Sequence, residues 1–129
     1  VNLLLDTHAL LWWFLGDRRL APLARQLIAN DDNEVFVSAA SAWEIATKVR
    51  NGKLPGALNL VYNFTIELAT DGFRMLDISF AHALKAGSLR TTHKDPFDRM
   101  LIAQAMIENY ILVSNEEIFD GLGVARIWT

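Results

Sequence analysis

The sequence predicts an α/β fold: a three-layer α/β/α sandwich on a mainly parallel sheet of about five strands, in a single domain spanning residues 1–129. Three observations predict it. Short β-rich runs alternate with helix-length segments along the chain. The strand candidates are apolar throughout, as burial on both faces of a parallel sheet requires. The length of 129 residues suits one core, and an apolar content of 52% with four Trp and seven Phe supplies it.

The elements follow in order. Asn2–Leu5 is a first strand, stopped at Asp6 and followed by a helix-length run from Thr7 to Gly16. Leu20–Asn30 reads as a second helix, with Pro22 in the first turn where a missing N–H costs nothing. Glu34–Ser38 is a β-rich strand; the helix after it has Ser41 as its expected N-cap and Gly52 past its C-terminus. After a Pro55–Gly56 turn, Leu58–Thr70 carries the spacing of one helix, and Phe73–Ile78 that of a short strand. Ser79 caps a short helix, and a polar loop from Ser88 to Lys94 leads into the strongest helix of the chain, with Asp95 at the N-cap and Pro96 at the first helical position. Ile111–Val113 is a strand, Ser114–Phe119 a short capped helix and Val124–Trp128 a last strand.

Composition narrows the function classes. With no Cys, disulfides and thiolate metal sites are excluded, and the chain suits a reducing, cytoplasmic compartment. Its longest apolar run, Ala9–Leu15, falls far short of the ~20 residues of a membrane-spanning helix, so no membrane partner is expected. Lys plus Arg number 12 against 15 Asp plus Glu, a net charge of −3 that on its face disfavours a polyanionic partner.

In open parallel sheets, ligands gather beyond the carboxyl ends of the strands. The residues there are acidic: Asp6 after the first strand, Glu44 in the first turn of the helix after the second, and Glu116 after Ile111–Val113. Asp98 opens the helix that feeds this last strand, with Asp95 one turn before it. Each acid alone is an ordinary helix-capping residue; Ser41–Glu44 and Ser114–Glu117 have capping-box spacing, and Asp95–Asp98 resembles it. As a set they need a cation, because carboxylates sharing a site disfavour one another's ionisation. Oxygen-only donors suit Mg²⁺ or Mn²⁺, which activate water and stabilise the charge of an in-line attack on a phosphodiester.

Four segments, LLLDTHALLWW, VSAASAWEIATKVRNGKL, HKDPFDRMLIAQA and ILVSNEEIF, resemble in order and spacing the PIN domain, and specifically the compact VapC-type toxins of bacterial toxin–antitoxin pairs. The resemblance runs nearly end to end and implies an α/β/α sandwich that cleaves RNA with Mg²⁺ or Mn²⁺ held by four acids. It also implies a homodimer and a VapB-type antitoxin, whose C-terminal helix and tail lie along a hydrophobic groove. Residue by residue, the family acids fall on Asp6, Glu44 and Asp98. The fourth position reads Ser114, Asn115, Glu116 where the family has Thr or Ser, a variable residue and Asp, so Glu116 stands one methylene longer; Glu117 and Asp120 are the fallbacks. Asp95 fits an N-cap better than a ligand, and Thr7 and Ser114 supply hydroxyls that can support the site.

Two basic clusters flank the acids, Lys48, Arg50 and Lys53 on one side and Arg90, His93, Lys94 and Arg99 on the other; Lys48 and Arg99 are the expected phosphate contacts. His8 and His93 are left out of the catalytic set, since this chemistry needs no histidine base. Trp12, Trp13 and Trp43 read as core aromatics, except that adjacent Trp12 and Trp13 cannot share one helix face.

The reading is thus a metal-dependent endoribonuclease. A catalytically inactive PIN fold that binds RNA or protein is the alternative. A receiver-type phosphoacceptor domain is disfavoured by the single acid after the first strand and the lack of a lysine at Ser114–Glu116; a haloacid-dehalogenase-like phosphatase, by the lack of a second Asp after Asp6-Thr7-His8. Setting the four acids aside leaves 11 acids against 12 bases, so the negative charge is concentrated at the expected site on a nearly neutral body.

Overall fold

A computed structural model describes all residues, Val1–Thr129. Five strands, β1 (Asn2–Leu5), β2 (Glu34–Ser38), β3 (Arg74–Leu76), β4 (Ile111–Val113) and β5 (Arg126–Ile127), form one sheet in the order β3-β2-β1-β4-β5. Every pairing is parallel. Alternation along β1 sends Leu3 and Leu5 to one face and Leu4 to the other, each without exposed surface.

The larger core lies on the first face. There α1 (Thr7–Leu15), α2 (Pro22–Ala29), α3 (Ala39–Arg50), α4 (Leu58–Tyr62) and α5 (Phe64–Thr70) bury Leu10, Ile28, Ile45, Leu60 and Leu68 against Leu3, Leu5, Val35, Val37 and Val113. On the opposite face α7 (Pro96–Glu108) packs Leu101, Ile102 and Ala105 on Leu4, Phe36 and Leu112, and α6 (Phe80–Ser88) packs on α7. Three layers result, as expected from the sequence.

Several local expectations change. Helix α3 starts at Ala39, capped by the Ser38 hydroxyl accepting from the Ala40 N–H at 3.0 Å, so Ser41 is not the cap and no Ser41–Glu44 capping box forms. Strand β2 runs straight into α3, which moves the helix start forward and buries Ser41. The helix expected over Leu58–Thr70 breaks at Asn63, whose φ of −116° and ψ of 23° separate α4 from α5. Ser114 and Glu117 form no capping box either; the Ser114 hydroxyl accepts from the Glu116 N–H at 3.0 Å. No helix is long and apolar enough to cross a membrane.

Candidate metal and phosphodiester site

Register places the acids. Leu5 pairs with both Val37 and Val113, so the residues that follow them, Asp6, Ser38 and Ser114, lie level at the carboxyl end of the sheet. Asp6 continues the ladder, its N–H donating to the Val113 carbonyl at 3.0 Å, and its carboxylate caps α1 by accepting from the Ala9 N–H at 2.8 Å. Glu44 arrives on α3, whose buried stripe is Ala40, Ser41, Glu44 and Ile45. The α1 and α3 starts are tied together by the Thr7 hydroxyl donating to the Ser41 oxygen at 3.1 Å.

Asp6, Glu44, Asp98 and Glu116 all line one cavity of about 180 Å³ that has no hydrophobic residue in its wall; Thr7, His8, Lys48 and Asp95 complete it. Thus the four expected ligands come from the end of β1, from α3, from α7 and from the turn after β4. Glu117 lines a different cavity and Asp120 is ion-paired with Arg126 at 2.6 Å, so Glu116 is the acid of that segment that reaches the pocket. Asp95 is the N-cap of α7, accepting from the Phe97 and Asp98 N–H groups at 2.9 and 3.1 Å.

Charge in this cavity is strained. Burial pushes the Asp6 carboxyl up from its ordinary value of 3.8 to about 6, against the pull of the Ser114 hydroxyl, the Ala9 N–H and His8. Burial also raises Asp98, helped by the charges of Asp95 and Glu44 and opposed by His93. Glu44 is nearly dry, and its Oε2 accepts from the Lys48 ammonium at 2.7 Å. The donor set is therefore all-oxygen, anionic and partly desolvated, the chemistry that suits a hard divalent ion. As they stand, no three of the acids are drawn into a metal-ligand group; Lys48 supplies positive charge to Glu44.

The two expected phosphate contacts part company. Lys48 faces the cavity. Arg99 does not serve as a free cation: its guanidinium donates to the carbonyls of Ala86, Gly87, Leu89, Thr91 and His93 at 2.8–3.3 Å. All five donors of the group are engaged, so none is left for a phosphate. Arg50, Lys53, Arg90 and Lys94 are exposed.

Both histidines set aside from the sequence lie beside the acids. His8 lines the cavity and stacks on Trp12 with ring centroids 5.3 Å apart, and His93 Nε2 lies 2.9 Å from Asp98 Oδ2. The only signal in the sequence is their nearness to Asp6 and Asp98. Trp12 is buried and Trp13 packs on Phe73 while donating its indole N–H to Asp71 at 2.9 Å. Trp43, expected in the core, is 64% exposed and meets Phe97 edge to face at the rim of an apolar groove of about 200 Å³ that also includes Ile78 and Pro96.

The chain matches the PIN domain family model over residues 3–124. Among solved structures it is similar to VapBC2 from Rickettsia felis bound to a promoter DNA fragment, with 19% identity, TM-score 0.73 and full coverage of both chains (100% each). A toxin–antitoxin complex from Klebsiella pneumoniae shares 23% identity at TM-score 0.64, over 96% of this chain and 94% of that one. VapBC-1 from nontypeable Haemophilus influenzae shares 14% at TM-score 0.65, over 98% and 97%. A search of curated proteins finds no match. With the family model matched over nearly the whole chain and the fold shared with these structures, the chain belongs to the PIN domain family.

Proposed function

We propose that the protein is a metal-dependent endoribonuclease, the toxin of a toxin–antitoxin pair, with Asp6, Glu44, Asp98 and Glu116 holding Mg²⁺ or Mn²⁺. The observation that carries this reading is the arrival of those four acids, from four separate elements, in one polar cavity at the carboxyl edge of the sheet. When bound, the divalent ion supplies Lewis-acid stabilisation and an activated water for phosphodiester hydrolysis. Asp6 and Glu44, anchored by the sheet edge and by α3, give the cavity its fixed negative wall. Asp98, half-exposed at the N-terminus of α7, and Glu116 on the turn after β4 complete the acidic lining. Lys48, which lines the cavity beside Glu44, would be placed to meet a phosphate oxygen there if Glu44 held the ion. Thr7 ties the α1 start to α3, and Ser114 holds the turn that carries Glu116.

The toxin assignment is supported by the toxin–antitoxin complexes among the similar structures and by the apolar groove at Trp43 and Phe97, the sequence neighbours of Glu44 and Asp98, which suits an apolar partner segment. The direct test is cleavage of single-stranded RNA by the purified chain. Cleavage should require Mg²⁺ or Mn²⁺, stop with EDTA and fall at least a hundredfold in Asp6→Asn, on the order expected for loss of an acid that positions the ion. Cleavage that survives both treatments rejects the reading, and RNA binding without cleavage favours the binding-module alternative.

A further inference from the structure

We propose that Arg99 and His93 are positioning residues for Asp98, acting through the loop that joins α6 to α7. The inference rests on Asp98 being one of the acids that hold the ion.

The loop, Leu89–Asp95, has no regular structure, and after Leu89 its residues are polar or charged. Leu89 packs against the second core at the start of the loop, and beyond it no aliphatic side chain fixes the path. What fixes it is a side chain from outside. Arg99, in the first turn of α7, sends its Nε to the Ala86 carbonyl at 2.9 Å, one Nη to Thr91 and His93 at 3.3 and 2.9 Å, and the other to Gly87 and Leu89 at 3.3 and 2.8 Å. Two of these carbonyls, Ala86 and Gly87, belong to the last turn of α6, where the helix leaves carbonyls unpaired and the dipole favours a cation. The other three are the loop itself, wound around the guanidinium as far as His93.

At His93 the path turns back. Its ring stands edge-on to buried Phe119, with centroids 5.6 Å apart at 90°, and its Nε2 lies 2.9 Å from Asp98 Oδ2. Asp98 and Arg99 are neighbours in sequence. One fastens the loop's backbone and the other is fastened by the loop's side chain, so the loop and the first turn of α7 lock each other. The terminal torsion of a half-exposed aspartate is broad and soft. Occupying Oδ2 with a ring held between Phe119 and the Arg99-bound backbone restrains the carboxylate plane of a residue that lines the cavity, and no hydrogen bond engages its Oδ1. Partners of this kind change metal affinity by about 10–100-fold when removed.

The test is Mn²⁺ binding to the purified chain, read from the free-ion electron paramagnetic resonance signal, in wild type, Asp98→Asn, His93→Leu, His93→Gln and Arg99→Lys. His93→Leu should bind Mn²⁺ about 10–100-fold more weakly, whereas His93→Gln, which keeps a nitrogen donor near the Nε2 position, should stay within about threefold of wild type by the same reasoning. Arg99→Lys should weaken binding and speed amide exchange in the backbone of residues 89–94. If Arg99→Lys fails to fold, the two His93 variants, which leave the guanidinium and its carbonyls in place, decide the matter. Wild-type affinity in His93→Leu, with weakened binding in Asp98→Asn, overturns the positioning role alone. No Mn²⁺ binding by the wild-type chain overturns both this inference and the metal-dependent reading on which it rests.

Discussion

Asp6 serves two ends that oppose each other. Its carboxylate caps α1, which favours the charged form, and it sits almost without water among other acids, which disfavours it. Burial wins, and the group titrates near 6. Because that value lies above the unfolded one of about 3.9, the native state holds an extra proton between the two. Stability of the ion-free protein therefore falls as pH rises from about 4 to about 6, and the cost is fully present above that window. Asp6→Asn keeps an oxygen to cap Ala9 and removes the charge. In EDTA at pH 7.5 it should be more stable than wild type by roughly 2–3 kcal/mol, the equivalent of about two pKa units. The gain should vanish near pH 4, as read from urea unfolding at each pH. An Asn variant no more stable than wild type at pH 7.5 refutes the buried-charge account. A residue that harms the empty fold while serving the site is a familiar exchange of stability for function.

At the scale of one element, α3 places Glu44 and Lys48 one turn apart, so the helix itself carries the cation that neutralises its own buried acid. Lys48→Met should tighten Mn²⁺ binding about fivefold, on the order of 1 kcal/mol for removing one partly screened charge. It should also weaken RNA binding and lower the slope of log affinity against log salt by about one. Opposite signs in the two assays distinguish this from general damage to the site, and parallel losses would reject it. The same helix shows what local sequence can and cannot reveal. The placement of Glu44 on a helix following β2 was legible, because ligand-binding residues in a parallel sheet gather beyond the strand ends. The start of that helix was not, because Ser-x-x-Glu fits a cap and a helix interior equally well, and only the seamless passage from β2 decides between them. The break at Asn63 was hidden for a similar reason: apolar spacing continues across it, while the backbone does not.

For the molecule as a whole, the convergence of Asp6, Glu44, Asp98 and Glu116 was legible because a parallel sheet brings its strand ends to one edge. The parts played by Arg99 and His93 were not, since they depend on the path of an irregular loop, and neither periodicity nor capping rules describe such a path. The layers are also joined by a polar contact that no pattern announced. Gln104 on α7, without exposed surface, accepts from the Ser38 hydroxyl at 2.6 Å and donates to the Asp77 carbonyl at 3.4 Å. It thus links α7 to the end of β2 and to the residue just beyond β3. Gln104→Leu should cost about 1–3 kcal/mol in urea unfolding, because the Ser38 hydroxyl loses its buried acceptor. Pairing it with Ser38→Ala should recover part of that loss; strict additivity of the two would show that the contact carries no coupling.

The strand order has a consequence for the making of the protein. β1 is central in the sheet, and its neighbour β4 is synthesised about a hundred residues after it: Leu3 waits for Ile111. Closing so long a loop is entropically slow, and until it closes one edge of β1 stays open. Asp6 and Glu44 leave the ribosome well before Asp98 and Glu116. For the nuclease proposed here, translation itself is a safety interval: the cell holds an unfinished chain with half of its acids, and only docking of the last strands completes the set.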